Sequence, residues 1–117
     1  MSQFSNTALS NSMVLVQSGA TQLTGFAIYN PNSSDVWVKF NDSKDVTSAA
    51  TGLTASFKLL IPAGDQVYDS VDSNSMADTD GIWSFATGLT IKCVTGYQAS
   101  STIAPTIPVE IFLQIKP

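Results

Sequence analysis

The strongest constraint on this chain is its period. From Met13 onward, apolar residues recur at every second position in short runs closed by Gly, Pro, Asn or Asp, and no run of useful length has the 3.6-residue period of a helix. Three phrases carry the pattern: GFAIYNPNSSDVWVKFND at 25–42, LLIPAGDQVYD at 59–69 and GIWSFATGLTIKCVTG at 81–96. Residues two apart share one face of a strand, so such alternation buries one face and leaves the other to solvent or to a further layer.

The runs resolve into about eight strands. Met13–Gln17 is the first, short one. Residues 21–30 follow, with Leu23, Gly25, Ala27 and Tyr29 facing one way and Phe26 and Ile28 the other. Val36, Val38 and Phe40 line one face of the next strand, and Pro31-Asn32-Ser33-Ser34 before it is turn chemistry. These two strands are therefore expected to pair as a hairpin. Residues 54–61 alternate with Ala55, Phe57, Leu59 and Ile61 inward; Pro62-Ala63-Gly64 ends that strand, and Asp65 to Tyr68 begins a return. Residues 81–85 and 88–94 are two further strands, and the last places Val109, Ile111, Leu113 and Ile115 inward. Strands of this length with turn signals between them predict an all-β fold, an antiparallel β-sandwich or small jelly roll. Residues 1–12 read as a polar N-terminal arm and 13–117 as one domain, a length sufficient for a single core. Phe4 and Leu9 are the arm's candidate anchors on a neighbour.

Charge narrows the partners. Among 117 residues there are five lysines, no arginine, no histidine and nine acids, for a net charge of −4; only 12% of residues are charged, and 16 Ser and 12 Thr take up the difference. A basic stripe is the footprint of nucleic-acid binding and a polybasic patch that of an anionic membrane, and neither is present, so neither partner is expected. A polar but uncharged surface is cheap to desolvate, which favours assembly. No basic n-region or signal-like apolar run opens the sequence, and no stretch approaches the ~20 apolar residues of a membrane helix, so synthesis in a cytosol is expected.

The candidates for chemistry each have a plainer reading. Cys93 lies in the alternating run at 88–94 with no histidine to activate it, and reads as a small buried hydrophobe. Asp65, Asp69, Asp72, Asp78 and Asp80 are clustered, and Asp78-Thr79-Asp80-Gly81 resembles the opening of a calcium loop; Leu89 stands where an EF-hand needs its bidentate glutamate, which leaves only an irregular Ca²⁺ site within 65–81. A single glutamate, Glu110, and loop aspartates give no paired acid and base in an apolar pocket. The chain is therefore expected to have no enzymatic activity, no catalytic residue and no cofactor. Trp37, Trp83, Tyr29 and Tyr97 form the aromatic set, read as core or interface ahead of a sugar-stacking platform. Trp37, Leu60 and Phe112 fall on outward positions, which implies that both faces of some sheets are covered; the simplest cover is a second copy.

The segments G-F-A-I-Y-N-P-N-S-S-D-V-W-V-K-F (25–40), I-P-A-G (61–64) and G-I-W-S-F-A-T-G-L-T-I (81–91) resemble a group of small β proteins encoded by tailed phages, over about residues 23–113. The resemblance implies a virion component made in the host cytoplasm, a capsid decoration (cement) protein that sits on the shell as a dimer or trimer and bridges subunits of the major capsid protein. The alternative is a receptor- or glycan-binding module of a head or tail fibre using Trp37, Trp83 and Tyr97. The residues expected at an interface are Phe4, Leu9, Trp37 and Phe112, with the polar loops at 41–53 and 69–80.

Overall fold

A computed structural model describes residues 2–46, 55–70, 83–98 and 101–116. Those residues form nine strands: β1 (Ser2–Leu9), β2 (Val14–Ser18), β3 (Thr21–Tyr29), β4 (Val36–Asp42), β5 (Phe57–Ile61), β6 (Gln66–Ser70), β7 (Trp83–Phe85), β8 (Gly88–Val94) and β9 (Val109–Lys116). All strand pairs are antiparallel. Sheet I has the order β1-β9-β3-β6, with β7 also paired to β3, and sheet II has the order β2-β8-β4-β5. The two pack face to face as an all-β sandwich.

The inward faces follow from the alternation. Val36, Val38 and Phe40 of β4, Leu89, Ile91 and Cys93 of β8, and Val109, Ile111, Leu113 and Ile115 of β9 are all buried in one cluster. Trp83 closes one end, its ring stacked on Phe57 at 4.3 Å and tilted against Phe40 at 5.2 Å between centroids. In β3 the pattern departs from simple alternation. Leu23 pairs with Ile115 but Gly25 with Gln114, so Thr24 is an extra residue. That bulge turns Leu23 to the core together with Phe26 and Ile28, while Gly25, Ala27 and Tyr29 face outward.

The expected arm is a strand. Ser2–Asn6 pair in register with Ile115–Ile111, and Leu9 pairs with Val109 after a shift of register. The shift hides the period: Phe4 packs against the core and Leu9 is 0% exposed, five positions apart rather than an even number. Asn6 supports the irregular stretch by accepting the Ala8 N–H on Oδ1 at 2.7 Å. Being an edge strand, β1 needs few apolar residues, which is why its sequence reads as polar.

The expected hairpin of β3 with β4 is not formed. The two strands lie in different sheets, and residues 30–35 carry the chain from one to the other. A buried asparagine pair fixes that crossing. Asn30 Nδ2 donates to the carbonyls of Ser34, Ile61 and Pro62 at 2.9, 3.0 and 3.2 Å. Its Oδ1 accepts from the backbone N–H and the Nδ2 of Asn32 at 2.9 and 2.8 Å. Asn32 in turn exchanges two bonds with the Ile107 backbone, at 2.8 and 2.7 Å. The β5–β6 turn needs Gly64, whose φ of 67° suits no other residue well.

Two substitutions test this account. Asn30→Ala leaves several buried carbonyls and the Asn32 amide unpaired, and is expected to cost about 3 kcal/mol in urea unfolding. Leu9→Ala is expected to cost about 3 kcal/mol as a core truncation; an unchanged midpoint would return Leu9 to a free arm.

Candidate interaction surface

The two outer sheet faces differ. On sheet II, Lys39 of β4 stands directly between Lys58 of β5 and Lys92 of β8. Adjacent like charges across strands repel, and here two of the three are also stripped of water: Lys39 is 0% and Lys92 1% exposed. Burial lowers the pKa of Lys39, and the neighbouring charges of Lys92 and Lys58 lower it further; burial lowers that of Lys92 as well. The cover over this face is the chain's own segment after β8. Lys39 Nζ donates to the Gln98 carbonyl, Tyr97 meets Trp37 edge-on at 4.8 Å between centroids, and Lys58 Nζ lies 4.0 Å above the Tyr97 ring. Thr95 N–H bonds the Ile103 carbonyl at 3.0 Å, and Asn11 Nδ2 reaches the Thr102 carbonyl at 2.9 Å, which pins the strap at both ends. Both faces of β8 are thus buried within one chain. Trp37 and the doubly buried β8 need no second copy to cover them.

Sheet I carries no such cover on its outer face among the described residues. Tyr29 is paired across to Glu110 on one side and Gln66 on the other; Ala27 lies between Phe112 and Tyr68; Gly25 lies between Gln114 and Ser70. The small side chains of Gly25 and Ala27 make a floor, and taller residues stand along both sides. Two shallow clefts of about 250 and 240 Å³ result, one toward Ser5 and Thr7 of β1 and one toward β6, sharing Ala27 and Phe112. Tyr68 is 76% exposed, Tyr29 40% and Phe112 38%. Among the described residues no lysine lines either cleft.

The four residues expected at an interface therefore separate. Phe112 lies on the open face. Trp37 is half-buried under the strap, Phe4 is half-buried against the core, and Leu9 is wholly inside and out of reach of a partner. Nor do Trp37, Trp83 and Tyr97 form a platform, since Trp83 stacks inside the sandwich while Trp37 and Tyr97 pack outside sheet II. Tyr68 and Tyr29 were the residues to join with Phe112, and only the β3–β6 and β3–β9 registers bring them together.

Elsewhere the side chains serve the fold. Asp42 accepts from the backbone N–H groups of Thr87, Ala86 and Gly88 at 2.7, 3.1 and 3.4 Å. Burial works to raise its pKa, but those three bonds prevail and hold the carboxyl below its usual value. The clamp sits beside a recess of about 480 Å³ between β7 and the ends of β3 and β9. Burial pushes the Cys93 thiol up to about 12. Among the described residues no group of three His, Cys, Asp or Glu is placed to hold a metal ion. Asp72, Asp78 and Asp80 lie outside the described residues, as does most of each expected contact loop, 47–53 and 71–80. Among the described residues, no helix is long and apolar enough to cross a membrane.

No protein-family model matches the chain, and no curated protein matches it. The likeness to phage proteins rests on its quoted motifs alone.

The lysine row makes stability depend on pH. The folded pKa of Lys39 is below the unfolded 10.5, so between the two values the unfolded chain binds more protons and raising the pH favours the fold. Cys93 works in the opposite sense, its raised folded pKa costing stability as the unfolded thiol ionises. Lys39→Met isolates the first effect: the stability of the wild type relative to this variant, from urea unfolding at about pH 7 and about pH 10, is expected to rise with pH. A pH-independent difference would mean that the Lys39 ammonium is not desolvated.

Proposed function

We propose that this chain is a non-enzymatic structural protein of a tailed-phage virion, a capsid decoration protein that bridges and stabilises neighbouring capsid subunits on the particle surface. The observation that carries the reading is the strand order. Sheets ordered β1-β9-β3-β6 and β2-β8-β4-β5 follow when paired antiparallel segments are rolled so that sequence neighbours other than β4 and β5 fall in opposite sheets; we read this as a jelly roll, with β7 as an addition. Jelly rolls recur in viral shells, though a fold by itself hosts many functions. The motif resemblance supplies the rest of the argument.

Physical features fit such a role. A rigid sandwich with little charge presents a surface of hydroxyls, amides and scattered apolar groups, which is covered by a partner at low desolvation cost. The partner in this reading is the major capsid protein, and copies of the chain associate as dimers or trimers at symmetry-related points of the shell. The fibre-module alternative loses its residues, because Trp37, Trp83 and Tyr97 do not share a surface.

Quantification of the band in a gel of purified particles tests the proposal. A shell component is expected at a copy number on the order of hundreds. Particles that lack the protein are expected to release DNA at a lower temperature. A copy number of about a dozen would point to a tail or fibre part, and absence from the particle would end the virion reading.

A further inference from the structure

We propose that the groove over Gly25 and Ala27 on the outer face of sheet I binds a neutral carbohydrate. The inference goes beyond the virion reading and holds whether the chain sits on a shell or elsewhere.

Three aromatic rings on this face are held out to solvent around a floor with almost no side chains. Ala27 carries only a methyl between Phe112 and Tyr68, and an added Cβ at Gly25 would meet Gln114 Oε1 at 3.1 Å. The floor is thus low at Ala27 and is formed over Gly25 by the Gln114 amide, while the walls are flat and apolar. A ligand that fits must offer a flat C–H face to a ring and hydroxyls at its edge. The edges of the groove are hydroxyls, amides and carboxylates: Ser5, Ser70, Gln66, Gln114, Asp69 and Glu110. Such groups donate to and accept from sugar hydroxyls.

Charge sets the class more tightly. Among the described residues the lining holds two carboxylates and no cation, so a phosphate, sulfate, sialate or nucleic acid meets repulsion with nothing to pair it. A cationic ligand would have only two separated, exposed carboxylates to approach, and these give little in water. A neutral pyranose chain uses every feature present: rings for stacking, amides and carboxylates for its hydroxyls, and a shallow open trough that admits an internal stretch of chain. Tyr68, on the edge strand β6, is the main stacking ring, and Phe112 divides the two sugar positions.

The test is an amide NMR titration of the intact chain with maltotriose, cellotriose and chitotriose, and with 3′-sialyllactose as the charged control. Saturable shifts confined to residues 25–29, 66–70 and 110–114 are expected with at least one neutral trisaccharide and not with the sialylated one. Tyr68→Ala, on an exposed ring, and Ala27→Leu, which fills the floor without reaching the core, are each expected to weaken binding about tenfold while the remaining spectrum is unchanged. The proposal is overturned by any of three results: no saturation with any neutral sugar up to roughly 10 mM, wild-type affinity in both variants, or equal binding of the sialylated sugar. Dilution in sugar-free buffer gives a further check: if the same amides shift with protein concentration, the face is a contact between copies and the carbohydrate assignment fails.

Discussion

The arrangement of the two sheets depends on one buried contact, the amide pair of Asn30 and Asn32. A sandwich whose consecutive strands change sheets has its weak points at the crossings, where backbone groups leave one ladder before entering another and still need partners. Asn30 and Asn32 satisfy three such places at once: the crossing from β3 to β4, the end of β5 at Ile61 and Pro62, and the approach to β9 at Ile107. These segments are remote in sequence, so the pair also sets how the sheets sit on each other. Apolar packing favours burial but tolerates sliding; a carbonyl that must meet an amide within about 3 Å does not. The specificity of the fold at this end is thus polar, and its driving force is the apolar cluster between the sheets.

From that frame the difference between the outer faces follows. The segment that follows β8 lies back over sheet II, where Tyr97 and Gln98 find Trp37, Lys58 and Lys39 beneath them. Closing this face places Lys39 and Lys92 out of water, an expense in free energy that the Gln98 carbonyl and the apolar contacts around Tyr97 and Trp37 offset. Nothing comparable lies on sheet I among the described residues. Its outward positions are instead polar or aromatic, with the small residues of β3 in the centre. One sandwich therefore has a closed face and an open one, and the open one is where a partner or ligand has room.

Much of this was legible in the sequence and the remainder fails for identifiable reasons. The inward faces of β4, β5, β8 and β9 could be read because period two is undisturbed there and each strand is long enough to show it. In β3 simple alternation puts Leu23 on the wrong side because a single extra residue, Thr24, inverts the period without any marker in the sequence. β1 reads as an arm since an edge strand with a register shift carries only Phe4 and Leu9 inward, and two residues make no pattern. The hairpin of β3 and β4 followed from turn chemistry that is real, but Pro31–Ser34 serves equally to bend the chain across to the other sheet. That choice is made by long-range pairing with β9 and β8, which local sequence does not encode. The candidate groove shares this limit: Tyr29, Tyr68 and Phe112 are far apart in sequence and meet only through the registers of sheet I.

The burial of lysines also changes the meaning of the net charge. Of the five cations two are internal, which leaves Lys44, Lys58 and Lys116 toward the exterior, while all six acids among the described residues are exposed. Among the described residues the exterior therefore carries six carboxylates against three ammonium groups, a negative field that disfavours polyanions. On the open face of sheet I the two carboxylates lie at the margins and the centre is ring and methyl. Attraction there must come from dispersion and uncharged hydrogen bonds, which are short in range and little affected by salt. A surface of this kind selects by shape and hydroxyl pattern rather than by charge, and its rigidity matters more than its net charge, because shallow contacts survive only when the groups that make them are already in place. The β9 and β3 ladders, held from behind by the core, give Phe112 and the Gly25–Ala27 floor that preorganisation.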